Sequence, residues 1–369
     1  MTGIYIHVPF CARKCPYCAF YSEAYSASMA ESYTEAVLRN IAAYEGQGIA
    51  ADTLYFGGGT PSLLAPAQTE EIINAAKRVF ALDNAEVTLE CNPCTVNPEK
   101  LSAFRTAGVN RLSVGFQSAD DGELALLGRL HNTDRAVKCV LDAAEAGFEN
   151  ISCDLMTALP GQTPQKLAHS IKTISELPVK HISAYILKPE EGTPFDTEKL
   201  RASLPDEDET AALYLETVRL CEEAGFLQYE ISNFAKPGFE SRHNLKYWRC
   251  HRDDYIGIGP GAHSFFGGVR FACPEELGSF IEDSVQQRTV TDEAPDRAEE
   301  YIMLGLRLRE GIDLKIALSL GLPEQQAQKL VMLAERLEGQ GLCRIDGDRI
   351  ALTPEGMLVS NSVISGFLS

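Results

Sequence analysis

The sequence predicts an α/β fold: a partial (β/α)6 TIM-like barrel followed by a small, mostly helical, winged-helix-like domain. Three observations carry this. Short apolar β-rich runs alternate with longer amphipathic stretches over the first 190 residues, at the roughly 30 residues per unit of parallel strands covered by helices. Unusual polar groups stand at the C-terminal ends of those runs, and in a barrel such ends meet on one rim. From about Ala294 the pattern turns helical and closes on a short β signal, CRIDGDRIALTPEGM.

Taken in order, the first strand is GIYIHV (3–8), and the cysteine stretch CARKCPYCAF (11–20) follows it. An amphipathic helix over 29–44 leads to DTLYFG (52–57), which runs into Gly57-Gly58-Gly59-Thr60-Pro61. A second helix over 67–80 precedes EVTLE (86–90), which ends on Glu90; RLSVGF (111–116) precedes Gln117. A helix over 133–148 leads to ISCDLM (151–156), with Asp154 late in it, and HISAYIL (181–187) completes the set. Five polar features at five equivalent strand ends favour a curved barrel. An open doubly wound sheet would gather its site at one switch point instead.

The segment KPEEGTPFDTEKLRASLPDEDE, rich in Pro, Gly and charge, reads as a connector closing a core of residues 1–205. Residues 206–290 begin with the helical pattern ETAALYLETVRLCEEAGF and continue as a loop-rich extension holding SRHNLKYW and DYIGIGPGAHSFFGG. Residues 291–369 form the third unit.

Composition narrows the function. A net charge of −19 over 369 residues argues against general nucleic-acid binding, which needs a basic surface. No apolar run approaches the ~18 residues of a membrane span. MTGIYIHVPF has neither the basic start nor the apolar stretch of a signal peptide. Eleven scattered cysteines, an odd number, do not read as a secreted disulfide framework. The expected location is the cytoplasm. Peripheral contact with a membrane is compatible with the sequence, although no anchor is visible.

Cys11-x3-Cys15-x2-Cys18 crowds three thiols onto one short loop. Three ligands leave one metal position open, and such a position serves chemistry. The spacing suits three corners of a [4Fe–4S] cluster; the alternative is zinc, with His7 or a distant cysteine as fourth ligand. The run Gly57–Pro61 is either a turn or a ligand cradle, and it lacks the Lys-Ser/Thr of a P-loop. Glu90, Gln117, Arg129 and Asp154 are each ordinary as caps or surface charges. Together they offer what a cation bearing a carboxylate, an ammonium and a ribose would need.

With Tyr17 before its last cysteine, the Cys-x3-Cys-x2-Cys loop resembles the signature of radical S-adenosylmethionine proteins. The resemblance implies that S-adenosylmethionine chelates the open iron and is cleaved by one electron to a 5′-deoxyadenosyl radical. The segments GIYIHVPFC, FGGGTPSLL, NRLSVGFQS, LGRLH, CDLMTALPGQT and LTPEGMLVSNSVI extend the likeness along nearly the whole chain, to the oxygen-independent coproporphyrinogen III oxidase family. It implies a cluster on Cys11, Cys15 and Cys18, and S-adenosylmethionine contacts from Tyr5, Gly58, Gly59, Thr60, Glu90, Gln117, Arg129 and Asp154.

That family has two branches. The dehydrogenase branch, which decarboxylates two propionates, carries a fourth cysteine and an N-terminal extension; here the fourth position is Phe20, and ten residues precede Cys11. The haem-chaperone branch reads Cys-x3-Cys-x-Tyr-Cys-x-Phe and carries His-Asn-x-x-Tyr-Trp, which matches His243-Asn244-Leu245-Lys246-Tyr247-Trp248. The resemblance therefore implies haem as a further ligand, haem-requiring apoproteins and a reductant protein as partners, and no coproporphyrinogen dehydrogenase activity. His243, Asn244, Tyr247 and Trp248 mark the candidate haem region, with Cys250 and His251 as neighbouring alternatives for an iron ligand. From their chemistry alone, His243 and the two aromatics read as packing residues; it is the branch resemblance that points to haem.

One departure from the family is Cys91-x2-Cys94, where a small residue and a glycine are usual. It reads as small residues filling a tight loop, with a metal or redox pair as the alternative. Cys139, Cys153, Cys221, Cys273 and Cys343 fall in helical or strand patterns and read as structural.

Overall fold

Strict alternation along the strands produces the architecture. In the computed structural model, which describes residues 1–368, the expected strands are β1 (Thr2–Val8), β2 (Ala51–Gly58), β3 (Glu86–Cys91), β4 (Arg111–Gln117), β5 (Asn150–Thr157) and β6 (His181–Ile186). Ile4, Ile6, Leu54, Phe56, Leu89, Leu112, Val114, Ile151 and Ile182 are fully buried in one continuous apolar core. Their neighbours Tyr5, His7, Thr53, Glu90, Arg111, Ser113, Asp154, His181 and Ser183 alternate with them and point to the opposite face. That face is polar and yet enclosed. Thr53 meets His243, Ser113 meets Asp154, and Ser152 meets His181, all across the interior.

The six strands are parallel, each beside its sequence neighbour. The sheet is longer than the expected six. Residues after the connector supply β7 (Leu227–Glu230), β8 (Asn233–Ala235), β9 (Asp254–Ile258), β10 (His263–Phe266), β11 (Val269–Ala272) and β12 (Thr289–Asp292). The full order is β12-β11-β10-β9-β1-β2-β3-β4-β5-β6-β8-β7. β9 pairs parallel with β1, adding a seventh parallel strand on the side where the barrel stays open. Antiparallel strands extend both edges. The sheet curves far enough that Tyr255 on β9 and Tyr185 on β6 face one cavity.

Helices start where polar caps say they should. Asn97, Asn132, Thr163 and Asp206 each accept a hydrogen bond from a first-turn amide of the helix that follows. The C-terminal unit sets the helices Arg297–Gly305, Leu314–Ser319, Glu324–Glu338, Pro354–Leu358 and Ser360–Leu368 around a small antiparallel sheet of Ile312–Asp313, Arg349–Leu352 and Cys343–Asp346. This is the expected winged-helix-like arrangement. Helix Arg297–Gly305 faces the barrel, where Arg270 and Glu300 meet at 2.6 Å. Among the described residues no helix is long and apolar enough to cross a membrane.

Candidate functional site

The cysteine loop and the glycine loop are built onto each other by backbone. Past the β1–β2 pairing of Val8 with Gly58, the Gly59 amide donates to the Val8 carbonyl at 2.8 Å and the Thr60 amide to Phe10 at 2.6 Å. A side chain could not stand there. A Cβ at Gly59 would lie 2.6 Å from the Phe10 oxygen, and one at Gly58, whose φ is +104°, would lie 2.6 Å from the His7 ring. Thr60 Oγ1 then reaches Cys11 Sγ at 3.6 Å.

The loop 126–130 grips the cysteines from the other side. Arg129 directs Nη1 at Cys15 Sγ (3.5 Å) and the Tyr17 hydroxyl (3.4 Å), while Nη2 donates to the Gly115 carbonyl at 3.2 Å. Its Nε is buried without a partner. Arg13 donates to the Gly128 carbonyl. Gln117 ends β4 in a left-handed conformation, φ +69°, uncommon for a residue with a side chain.

Two carboxyls stand together inside the rim. The Tyr55 hydroxyl donates to Glu90 Oε1 at 2.9 Å, and the Ser113 hydroxyl to Asp154 Oδ1 at 3.0 Å. Burial, reinforced by Asp154, pushes the Glu90 carboxyl up to about 7 despite hydrogen bonds from Tyr55 and the Gly58 amide. Burial raises Asp154 as well. A cation inserted here would relieve both.

These groups line one cavity of about 1070 Å3: Tyr5, Cys11, Cys15, Cys18, Gly59, Thr60, Glu90, Gln117, Arg129 and Asp154 reach it, as do Tyr247 and Trp248. Three sequence-predicted residues do not reach it. Gly58 lies behind His7, His243 sits beneath the surface that Tyr247 presents, and Asn244 is half-buried away from the cavity. His243 is fully enclosed, its Nδ1 2.7 Å from Thr53 Oγ1 and its Nε2 2.9 Å from the Tyr247 hydroxyl. Burial, with Lys246 and Arg111 nearby, pushes it down to about 3. Its ring stacks on Tyr55 at 5.0 Å. Both nitrogens are committed, so the ring is a support for Tyr247 and offers no lone pair to the cavity.

The neighbouring alternatives turn away too. Cys250 is buried with its thiol toward Glu300 (3.7 Å), and His251 packs edge-on against Tyr301. In Cys91-x2-Cys94 the two thiols part company: Cys91 is buried beside Cys139, and Cys94 is exposed near Arg135. Among the described residues no three His, Cys, Asp or Glu groups close on a single ion.

Sequence reasoning passed over Tyr55 and Arg111. The Arg111 guanidinium is 1% exposed inside the barrel, its Nε and Nη1 unpartnered, close enough to draw on both Glu90 and Asp154. The signal for it was an arginine opening an otherwise apolar strand, RLSVGF.

A family model described as the radical SAM superfamily matches residues 5–174, and one described as the HemN C-terminal domain matches residues 293–359. The protein named heme chaperone HemW in Bacillus subtilis (strain 168) is 36% identical over 386 residues, spanning 100% of this chain and 99% of its own. The protein of that name in Escherichia coli (strain K12) is 33% identical, spanning 100% and 98%. Radical S-adenosyl methionine domain-containing protein 1, mitochondrial, of Bos taurus is 33% identical, spanning 100% and 87%. Among solved structures, coproporphyrinogen III oxidase (HemN) from Escherichia coli superposes with a TM-score of 0.83 at 22% identity, covering 99% of this chain and 89% of that one, which shows a shared fold. The chain belongs to the HemW family of the radical SAM superfamily.

Proposed function

We propose that this chain is a haem chaperone that carries a [4Fe–4S] cluster, binds S-adenosylmethionine and haem, and delivers haem to apoproteins in the cytoplasm. The observation that carries the reading is a single cavity lined both by the three thiols and by the aromatic rings of Tyr247 and Trp248. At about 1070 Å3 it exceeds the about 300–1,000 Å3 of ordinary ligand pockets. Relatives of matching length that bear the name heme chaperone support the same reading.

The residues present fit these groups. Cys11, Cys15 and Cys18 would hold the cluster and leave one iron open. The glycine cradle, the paired carboxyls Glu90 and Asp154 and the orphaned Nε of Arg129 suit a zwitterionic cation such as S-adenosylmethionine. When bound, the cluster supplies one electron for cleaving the sulfonium. The protein's own part is positional. Glu90, held by Tyr55 and the Gly58 amide, faces positive charge. Arg129 lends positive charge to the Cys15 sulfur. Gln117 and Thr60 fix the rim, and Tyr17 packs against Phe195 at 6.2 Å to keep water from the cluster side.

Coproporphyrinogen oxidation is the second reading, favoured by the HemN-like fold. The two separate experimentally. Protein reconstituted without air should bind ferric haem at one per chain. Given reductant, S-adenosylmethionine and coproporphyrinogen III, it should yield no decarboxylated porphyrinogen by chromatography. Catalytic product formation would replace the first reading with the second.

A further inference from the structure

Resting on the haem reading above, we propose that His263 is the protein ligand to the haem iron. The candidate region His243–Trp248 contributes the wall and not the bond. Haem iron takes a nitrogen, sulfur or phenolate oxygen ligand, and among side chains an imidazole nitrogen is the commonest metal ligand. Two histidines reach this cavity, His7 and His263. His7 has both nitrogens occupied, Nδ1 by the Tyr5 hydroxyl at 3.2 Å and Nε2 by the Tyr21 carbonyl at 3.1 Å. Three of the lining tyrosines are committed as well: Tyr247 to His243, Tyr255 to Arg270 at 3.0 Å, Tyr17 to Arg129. The His263 ring is exposed on the cavity wall and makes no hydrogen bond.

Its backbone is held as firmly as its ring is free. The turn before it, Gly259–Ala262, packs on the end of β1 so closely that a Cβ at Gly259, φ +119°, would lie 2.5 Å from the His7 carbonyl. A Cβ at Gly257 would lie 2.4 Å from the His263 carbonyl. Ala262 donates to Gly259 at 3.1 Å and accepts from Cys273 at 2.8 Å, and His263 pairs with Ala272 in the β10–β11 ladder. A rigid mount with an unoccupied imidazole is the arrangement that fixes a metal bond in direction.

The surroundings suit the edges and faces of a macrocycle. Trp248, Tyr255, Met303 and Leu304 share the cavity, and Phe20, 63% exposed, stands at the same wall. Lys14 and Lys188 line it too and can face propionates. The bond itself needs no oxidant or reductant: an imidazole nitrogen gives its lone pair to iron and displaces an axial water.

The test is resonance Raman spectroscopy of the ferrous haem complex, whose iron–imidazole stretching band reports the bond directly. His263→Ala should lose that band, weaken haem at least about tenfold, and regain the band when free imidazole is added. Because the ring has no hydrogen bond, cluster absorption and melting temperature should stay unchanged, which separates loss of the ligand from misfolding. His263→Gln should behave as His263→Ala without rescue by imidazole. His243→Gln should retain the band. Persistence of the band in His263→Ala, or its loss in His243→Gln alone, would overturn the assignment. Wild-type protein that binds haem with no such band would overturn it while leaving the haem reading intact. Wild-type protein that binds no haem would remove that reading first.

Discussion

His243 Nε2 lies 2.9 Å from the Tyr247 hydroxyl, and its Nδ1 lies 2.7 Å from Thr53 on β2. A histidine wholly inside the protein thereby fixes an aromatic ring that faces the cavity. Removing the ring would leave two hydroxyls unpaired and a void between stacked aromatics. His243→Ala should cost about 2–4 kcal/mol of unfolding free energy, read by urea denaturation. A change below 0.5 kcal/mol, roughly the surface-substitution range, would mean the network carries no load.

Arg129 places a guanidinium 3.5 Å from Cys15 Sγ. Positive charge beside a cluster ligand favours the reduced, more negative state. Arg129→Met should lower the cluster's reduction potential by on the order of tens of millivolts, measured by anaerobic spectroelectrochemistry. Arg129→Lys should recover part of the shift, since it keeps the charge and loses the fork. An unchanged potential in both variants would contradict this role.

Glu90 gives a pH dependence with a definite sign. Its carboxyl titrates near 4.5 unfolded and is pushed up to about 7 when folded, chiefly by burial. The folded state therefore holds the proton more tightly. The stability this contributes is full below 4.5, declines as pH rises, and is gone above about 7. Burial raises Glu230 to about 7 as well, so part of the slope should survive in Glu90→Gln. A bound cation favours the ionised carboxyl. Affinity for S-adenosylmethionine should accordingly rise several-fold between about pH 6 and about pH 8, with proton release on binding. Calorimetry in buffers of different ionisation heat checks this, and Glu90→Gln should flatten the dependence. Affinity that falls with pH would contradict it.

Gly59 has no room for a methyl group, because its Cβ position lies 2.6 Å from the Phe10 oxygen and 2.9 Å from the Phe10 nitrogen. Both obstacles are backbone atoms leading into the cysteine loop. Gly59→Ala should cost about 1–3 kcal/mol and lower the iron bound per chain after reconstitution. Gly147, with nothing within 4 Å of its Cβ position, makes the control. Its φ of +90° should cost about 1 kcal/mol on substitution, with iron content unaffected. Equal iron loading in all three proteins would show that the close approach does not set the loop.

The barrel strands were legible because most pair an apolar period of two with a polar group at the C-terminal end, as those ending on Glu90 and Gln117 do. That most of the candidate residues would gather on one cavity was legible for the same reason. Strand β9 was hidden: Asp254–Ile258 is short and glycine-bearing in a loop-rich segment, where intrinsic preference is weak and pairing with β1 supplies the order. The polar interior was hidden too. Alternation tells which residues share a face, but not that a face lined by Arg111 and Asp154 is enclosed. His243 shows the same limit. Its motif was visible, but a motif cannot say whether a ring points into a cavity or beneath its wall. His263 fell within the loop-rich segment DYIGIGPGAHSFFGG without drawing notice; its free nitrogens exist only in three dimensions.

The most direct test of the whole account is haem transfer. Protein carrying one ferric haem, with its cluster intact, is mixed with the apo form of a b-type cytochrome, and the cytochrome's own absorption bands are followed over time. The account predicts that haem leaves this chain and appears in the cytochrome faster than from free haem at equal concentration, with the transfer lost in a Tyr247→Ala, Trp248→Ala double variant that can no longer load. Haem that stays bound, or that moves no faster than free haem, would contradict a delivery role.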